Sequence, residues 1–209
     1  MLKHPDVWIL TDDIYEHLTY DSFEFCTIAE VEPALKARVL TLNGASKAYA
    51  MTGWRVGYCG GPGKLIAAMD NVHGQATGGI CTLSQAAAVA VLDGPQDLLK
   101  ERADVYRGRR DLVIRLLNQI PGITSHTPEA AFYVFPNIAG CIGKTTEGGR
   151  RLETDADFIS ALLEERHVAA ARHSAELTAI ALEHLDFSSL PPLTFRHTSE
   201  MHFSNAREI

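Results

Sequence analysis

Asn43 to Gly60 reads NGASKAYAMTGWRVGYCG and sets a lysine, Lys47, among Gly44, Ala45, Ser46 and Ala48, with an arginine, Arg55, eight positions on. Little side-chain bulk surrounds that lysine, so a planar ligand can approach its amine closely. A buried lysine suits covalent chemistry, and Schiff-base formation with a carbonyl cofactor is one of the few uses that justifies placing it there. The plainer alternative is a surface loop with an incidental Lys and Arg.

Working outward, Asp6 to Leu10 (DVWIL) is a short apolar run ending in the polar Thr11-Asp12-Asp13, which predicts a buried parallel strand entering a turn. A helical segment around Ile28 to Lys36 and a second strand, Arg38 to Leu42 (RVLTL), complete a βαβ unit whose crossover should be right-handed. Ligands of such sheets gather at the carboxyl ends of the strands, and both Asp12 and Lys47 fall just past those ends. Val56 to Gly60 is expected to be a third strand, closed by the turn cluster Gly60-Gly61-Pro62-Gly63. A sheet that starts so near Met1 is expected to be incomplete.

Further on, Leu65 to Val72 is expected to be helical, and Thr82 to Leu92 (TLSQAAAVAVL) a buried helix capped by Thr82 or Ser84 and stopped by Asp93-Gly94-Pro95. Gln96 to Ile120 carries Leu98, Leu99, Val105, Leu112, Leu116 and Leu117 at helical spacing. It predicts one long amphipathic helix whose Arg102, Arg107, Arg109, Arg110 and Arg115 form a solvated face. Ala130 to Phe135 is read as a strand and Asp155 to Arg166 as an amphipathic helix; after about Ala169 the periodicity weakens, with a Ser/Pro-rich break at Ser188 to Leu193.

The 26 acidic against 19 basic residues give a formal charge of −7, which argues against nucleic acid and for a small-molecule substrate. Cys26, Cys59, Cys81 and Cys141 form no CxxC pair, so neither a disulfide framework nor a zinc knuckle is indicated, and a reducing cytoplasm fits. No stretch approaches the roughly 18 apolar residues of a membrane span, and MLKHPDVWIL has too short an apolar run for a signal peptide. Gly140 to Thr145 (GCIGKT) suggests a P-loop, but only two residues separate its glycines where four are required. The histidines include no HExxH, and no metal site is expected.

The run Gly44, Ala45, Ser46, Lys47, Ala50, Met51, Gly53, Arg55, Val56 and Gly57 resembles the lysine signature of the class-I/II pyridoxal-phosphate-dependent aminotransferases. TDDIYEHL, the segment from Ser84-Gln85 to Pro95, PEAAFYVFP (Pro128 to Pro136) and TDADFISALLEE (Thr154 to Glu165) extend the likeness from about Val7 to Val168. The last two resemble the bacterial aspartate-aminotransferase-like branch. The resemblance implies an α/β fold: part of the large cofactor-binding domain (1–110), mostly parallel sheet with flanking helices, then a smaller α+β domain (111–209).

It also implies pyridoxal 5′-phosphate as cofactor, with Lys47 as its covalent anchor and proton carrier. Asp12 would pair with the ring N–H, Tyr15 would donate to the ring oxygen, and Arg55 would hold the phosphate. Ser46 would add a hydroxyl contact, although small-residue packing explains it equally well. Asp13 is not the residue that the likeness aligns with the ring. The implied reaction moves an amino group between an aspartate-like L-amino acid and a 2-oxo acid in a homodimer; β-elimination on the same residues is the alternative, and an inactive fragment a third.

The sequence departs from the family in three places. Relatives carry a long N-terminal half with a phosphate loop and ring-stacking aromatic that find no counterpart here, so the chain is read as the C-terminal portion, able to associate through its incomplete sheet. Gly79-Ile80 stands where relatives have Asn-Pro in a loop near the dimer interface. Relatives also end in an FRIS-like strand whose arginine binds the substrate carboxylate; Arg196 in Phe195-Arg196 is the candidate here, with an ordinary surface arginine as the alternative.

Overall fold

The computed structural model describes residues 1–174 and 177–181. They fall into two compact units, Met1–Val105 with Glu129–Ala131, and Tyr106–Pro128 with the described residues from Phe132 onward. Each is described by itself.

The first unit is built on a three-stranded sheet, β1 (Ile9–Asp12), β2 (Val39–Gly44) and β3 (Gly57–Gly60), in that spatial order. β1 and β2 are parallel, with Ile9 beside Val39, Thr11 beside Thr41 and Asp12 beside Leu42. This register carries β1 on to Asp12, beyond the expected end at Leu10, and the β-branched Thr11 and Thr41 join their hydroxyls at 3.4 Å. The crossover between them is not the single helix expected from the sequence. α1 (Ile28–Val31) lasts one turn and passes into a 3₁₀ segment, Pro33–Arg38, because Pro33 has no N–H to continue the α ladder. Ile9, Leu35 and Val39 are buried together under this crossover, with Ile28 and Ala29 packed against them.

β3 runs antiparallel to β2, Leu42 facing Cys59 and Gly44 facing Gly57. The expectation of a mostly parallel sheet is therefore corrected in this part of it: one of the two pairings is parallel and the other is not. A parallel return needs a crossover back along the sheet. The connection Ala45–Val56 spends its length on turns at the carboxyl end of β2, and the chain can only re-enter reversed.

α2 (Gly63–Ala76) and α3 (Thr82–Asp93) follow. The expected burial of α3 is limited to Ser84 and Ala88, while Leu83 and, on α2, Val72 are 74% and 69% exposed. Its N-cap is Cys81, in place of the expected Thr82 or Ser84. Leu10 on β1 is 64% exposed, and β1 forms an outer edge of the described sheet. Exposed apolar surface and an open sheet edge are features suited to pairing or association.

α4 (Asp97–Leu117) is the long helix expected, and it passes from the first unit into the second between Val105 and Tyr106. Its arginines are not one solvated face. Arg110 is 2% exposed; its Nη1 donates to Pro128 O at 2.9 Å and its Nη2 lies 2.7 Å from Asp111 Oδ1. The guanidinium meets a carbonyl eighteen residues away, which a helical-wheel reading cannot anticipate.

In the second unit, β4 (Thr124–Ser125), β5 (Tyr133–Val134), β6 (Pro136–Asn137), β7 (Ala171–Ser174) and β8 (Leu177–Ala181) form a short-stranded sheet, with β8 between β6 and β5. The strand expected over Ala130 to Phe135 is interrupted: Ala130 makes only a bridge to Thr19, Ala131 has a left-handed φ of 62°, and regular pairing resumes at Tyr133. α5 (Asp155–Arg166) has the expected bounds, set by a capping box between Thr154 and Asp157 and by a left-handed His167 at its end. Ile123, Ile138, Cys141, Leu152 and Ala161 form the buried cluster beneath it. No described helix is long and apolar enough to cross a membrane.

Candidate functional site

Two turns leave the carboxyl ends of the parallel pair β1–β2 side by side. At the end of β1, Asp12 is exposed, and its Oδ1 accepts from Ile14 N at 3.4 Å. Tyr15 sits in the next turn, half-buried, its carbonyl accepting from Leu18 N at 2.9 Å. The two turns are tied at the backbone by Asp13 N, which donates to Leu42 O at 2.9 Å, and at the side chains by Asn43 Nδ2, which donates to Glu16 Oε1 at 2.6 Å. Asn43 Oδ1 in turn accepts from Gly44 N at 2.7 Å.

After β2 the chain passes Gly44, Ala45, Ser46 and Lys47. A Cβ on Gly44 would lie 2.9 Å from Val56 O, so only glycine fits there without a shift, and Ala45 N donates to the same carbonyl at 3.3 Å. This contact sets Arg55 beside the lysine turn although eight residues separate them. Arg55 is exposed and left-handed (φ 54°, ψ 52°), a conformation that costs a non-glycine residue. Its Nη1 donates to Thr52 O at 2.9 Å, which fixes the guanidinium against its own turn. Ser46 and Lys47 are half-buried, and Ala45, Ala48, Tyr49 and Met51 pack as a buried cluster with Ala87, Val91, Leu98 and Leu99 beneath them.

Of the residues singled out from sequence, Asp12, Tyr15, Ser46, Lys47 and Arg55 thus lie on neighbouring segments at one end of the sheet. Arg196 lies outside the described residues. Asp13, which the likeness does not align with the ring, is buried with Oδ2 lacking a hydrogen-bond partner among the described residues. Burial pushes its carboxyl above the usual carboxylate range, with Glu16 and Asp12 adding repulsion and a bond to Thr11 opposing it. Sequence reasoning missed Glu16, Asn43, Gln96 and Arg102. The signal available for Asn43 was its place directly before the small-residue run; the others carried none.

The chain belongs to a known family. The sequence model for Aminotransferase class I and II matches residues 1–181, and the chain is a member of that family. It is 56% identical over 175 residues to the aspartate aminotransferase of Rhizobium meliloti (strain 1021), covering 84% of this chain and 43% of that protein. It is 52% identical over 169 residues to the aspartate/prephenate aminotransferase of Cereibacter sphaeroides, covering 81% of this chain and 42% of that protein. The crystal structure of the Rhizobium meliloti aspartate aminotransferase superposes with a TM-score of 0.83 at 52% identity, over 87% of this chain and 46% of that one. The chain therefore spans less than half the length of these relatives.

Proposed function

We propose that this chain carries the lysine side of a pyridoxal-phosphate-dependent aminotransferase acting on an aspartate-like L-amino acid and a 2-oxo acid, as part of a homodimer. The observation that supports this most is the parallel β1–β2 register, which brings the Asp12–Tyr15 turn beside the Lys47 turn, with Arg55 joined to it through Val56. The donor set fits the cofactor's chemistry: an amine for its aldehyde, an exposed carboxylate for its ring nitrogen, a phenol for its ring oxygen and a guanidinium fork for its phosphate. When bound, the cofactor serves as the acceptor for the electron pair left on the substrate α-carbon.

The chain's own residues do the rest. Lys47 Nζ would anchor the cofactor through its aldehyde carbon and, as a free amine, would carry the proton from the substrate α-carbon to that cofactor carbon. The Asp12 carboxylate keeps the ring nitrogen protonated by charge pairing. Tyr15 donates its hydroxyl hydrogen to the ring oxygen, Arg55 holds two phosphate oxygens, and Ser46 adds a hydroxyl. Arg196 is proposed as the clamp for the substrate carboxylate. The names of the relatives favour an aspartate-like donor.

The test is to add pyridoxal phosphate to the purified chain, reduce with borohydride and map the modified residue. An adduct at Lys47 is expected; its absence overturns this reading of the chain.

A further inference from the structure

The turn that carries Lys47 is closed by three backbone bonds of its own. These run from Tyr49 N to Ala45 O at 3.3 Å, Ala50 N to Lys47 O at 3.3 Å and Met51 N to Ser46 O at 3.1 Å, the first two just beyond the usual range. Ala50 sits at a left-handed φ of 52°, a strained conformation for alanine that relaxes unless its surroundings hold it. Apolar packing of Ala48 and Tyr49 keeps the turn against the protein, but such packing is non-directional and does not fix its rotation.

Two polar bonds from the segment that opens α4 supply that direction. Arg102 Nη1 donates to Ala48 O at 2.8 Å, and Tyr49, 7% exposed, donates its hydroxyl to Gln96 Oε1 at 2.8 Å. Gln96 is itself held: its Nε2 lies 3.0 Å from Val91 O, 3.3 Å from Leu92 O and 2.6 Å from Gly94 O, so it occupies the carbonyl end of α3. That end is tightly closed, since a Cβ on Gly94 would fall 2.6 Å from Ala90 O. The acceptor offered to Tyr49 is thus anchored to a helix terminus, where free carbonyls need donors.

We propose that Gln96 and Arg102 are positioning residues that brace the backbone on the carboxyl side of Lys47, fixing the rotation of its turn and so the direction in which its amine points. This rests on the reading of Lys47 as the cofactor lysine. The brace acts through Ala48 and Tyr49 and touches neither substrate nor cofactor.

Hydrogen exchange of the full chain without cofactor tests the brace apart from that reading. Gln96→Ala, Arg102→Ala and Tyr49→Phe should each speed exchange at the amides of Tyr49, Ala50 and Met51 about fivefold, the loss expected of one hydrogen bond, while β2 exchanges as before. Arg102→Lys keeps a donor for one carbonyl and should restore most of the protection. With pyridoxal phosphate added, the same three variants should slow formation of the Lys47 adduct about fivefold and shift its absorption band. Tyr49→Phe removes a single oxygen and keeps the buried ring, so it decides the matter if either alanine variant fails to fold. Unchanged exchange at the three amides in Tyr49→Phe overturns the proposal, as does faster exchange spread evenly over the first unit. Local loosening in a chain that forms no Lys47 adduct supports the brace and overturns the cofactor reading instead.

Discussion

Asn43 and Glu16 meet at 2.6 Å across the ends of two parallel strands, joining the turn after β1 to the start of the lysine turn. Asn43 gives one amide hydrogen to Glu16 and its carbonyl oxygen accepts from Gly44 N, so one side chain serves both turns. Asn43→Ala should lower stability by about 1.5–3 kcal/mol, the range for a bond to a charged group. Glu16→Gln, which keeps an acceptor, should cost less. Urea unfolding midpoints at equal m-values distinguish the two.

Gly44→Ala should separate Arg55 from Lys47, because its Cβ would meet Val56 O at 2.9 Å and neither backbone can yield without opening the β2–β3 pair. A cost of about 1–3 kcal/mol follows from overpacking of this kind. The yield of borohydride-trapped adduct at Lys47 should fall more steeply than that of a variant equally destabilised elsewhere in the unit.

Asp13 gives a pH dependence with a definite sign. Its carboxyl ionises less readily folded than unfolded, burial being the chief cause. Its contribution therefore favours the folded state below the unfolded value of 3.8 and is lost as pH rises through the higher folded value. Asp13→Asn should be more stable than the parent at neutral pH, and the gap should close as pH falls through the raised folded value and be gone below about 4. Denaturant midpoints measured between neutral pH and pH 3 check this; a gap that widens in acid contradicts it.

Arg110 and Arg115 lie on the same helix and should respond oppositely. Arg110→Met leaves Pro128 O without its donor and should cost about 1–3 kcal/mol. Exposed Arg115→Ala should stay within about 0.5 kcal/mol of the parent. Thermal melts of the two variants read the contrast.

Cys81 should be the most reactive of the four thiols. It is exposed at the start of α3, where the backbone N–H groups of Ser84 and Leu83 favour its thiolate and lower its pKa. Burial raises that of Cys141. Alkylation followed by peptide mapping at neutral pH should label Cys81 first and Cys141 last.

The order of these effects shows where the sequence could be read and where it could not. The placement of Asp12 and Lys47 at the ends of two strands was legible because small residues and strand ends are local signals, and α5 was legible because Thr154 and Asp157 cap it within four positions. The direction of β3 was not, since Val56 to Gly60 is equally apolar read either way and only the route of Ala45–Val56 decides it. Arg110 misled for a related reason. Helical spacing predicts which face a residue occupies but not that a distant carbonyl waits there, and Gln96 and Arg102 were passed over because their partners lie some fifty residues away. The buried position of Asp13 beside the exposed Asp12 likewise depends on the register with β2.

The opposite senses of the two strand pairings also set a timetable for assembly. Gly44 and Gly57 close a short loop when β2 meets β3, whereas Asp12 reaches Leu42 only after a crossover more than twice as long. Each doubling of a closed loop adds about 0.6 kcal/mol of chain entropy, and non-local contacts form late for that reason. The lysine and the arginine are therefore neighbours by local closure early in folding, and the aspartate joins them last. Pulse labelling of the Asp13 and Ala45 amides during refolding should show Ala45 protected first.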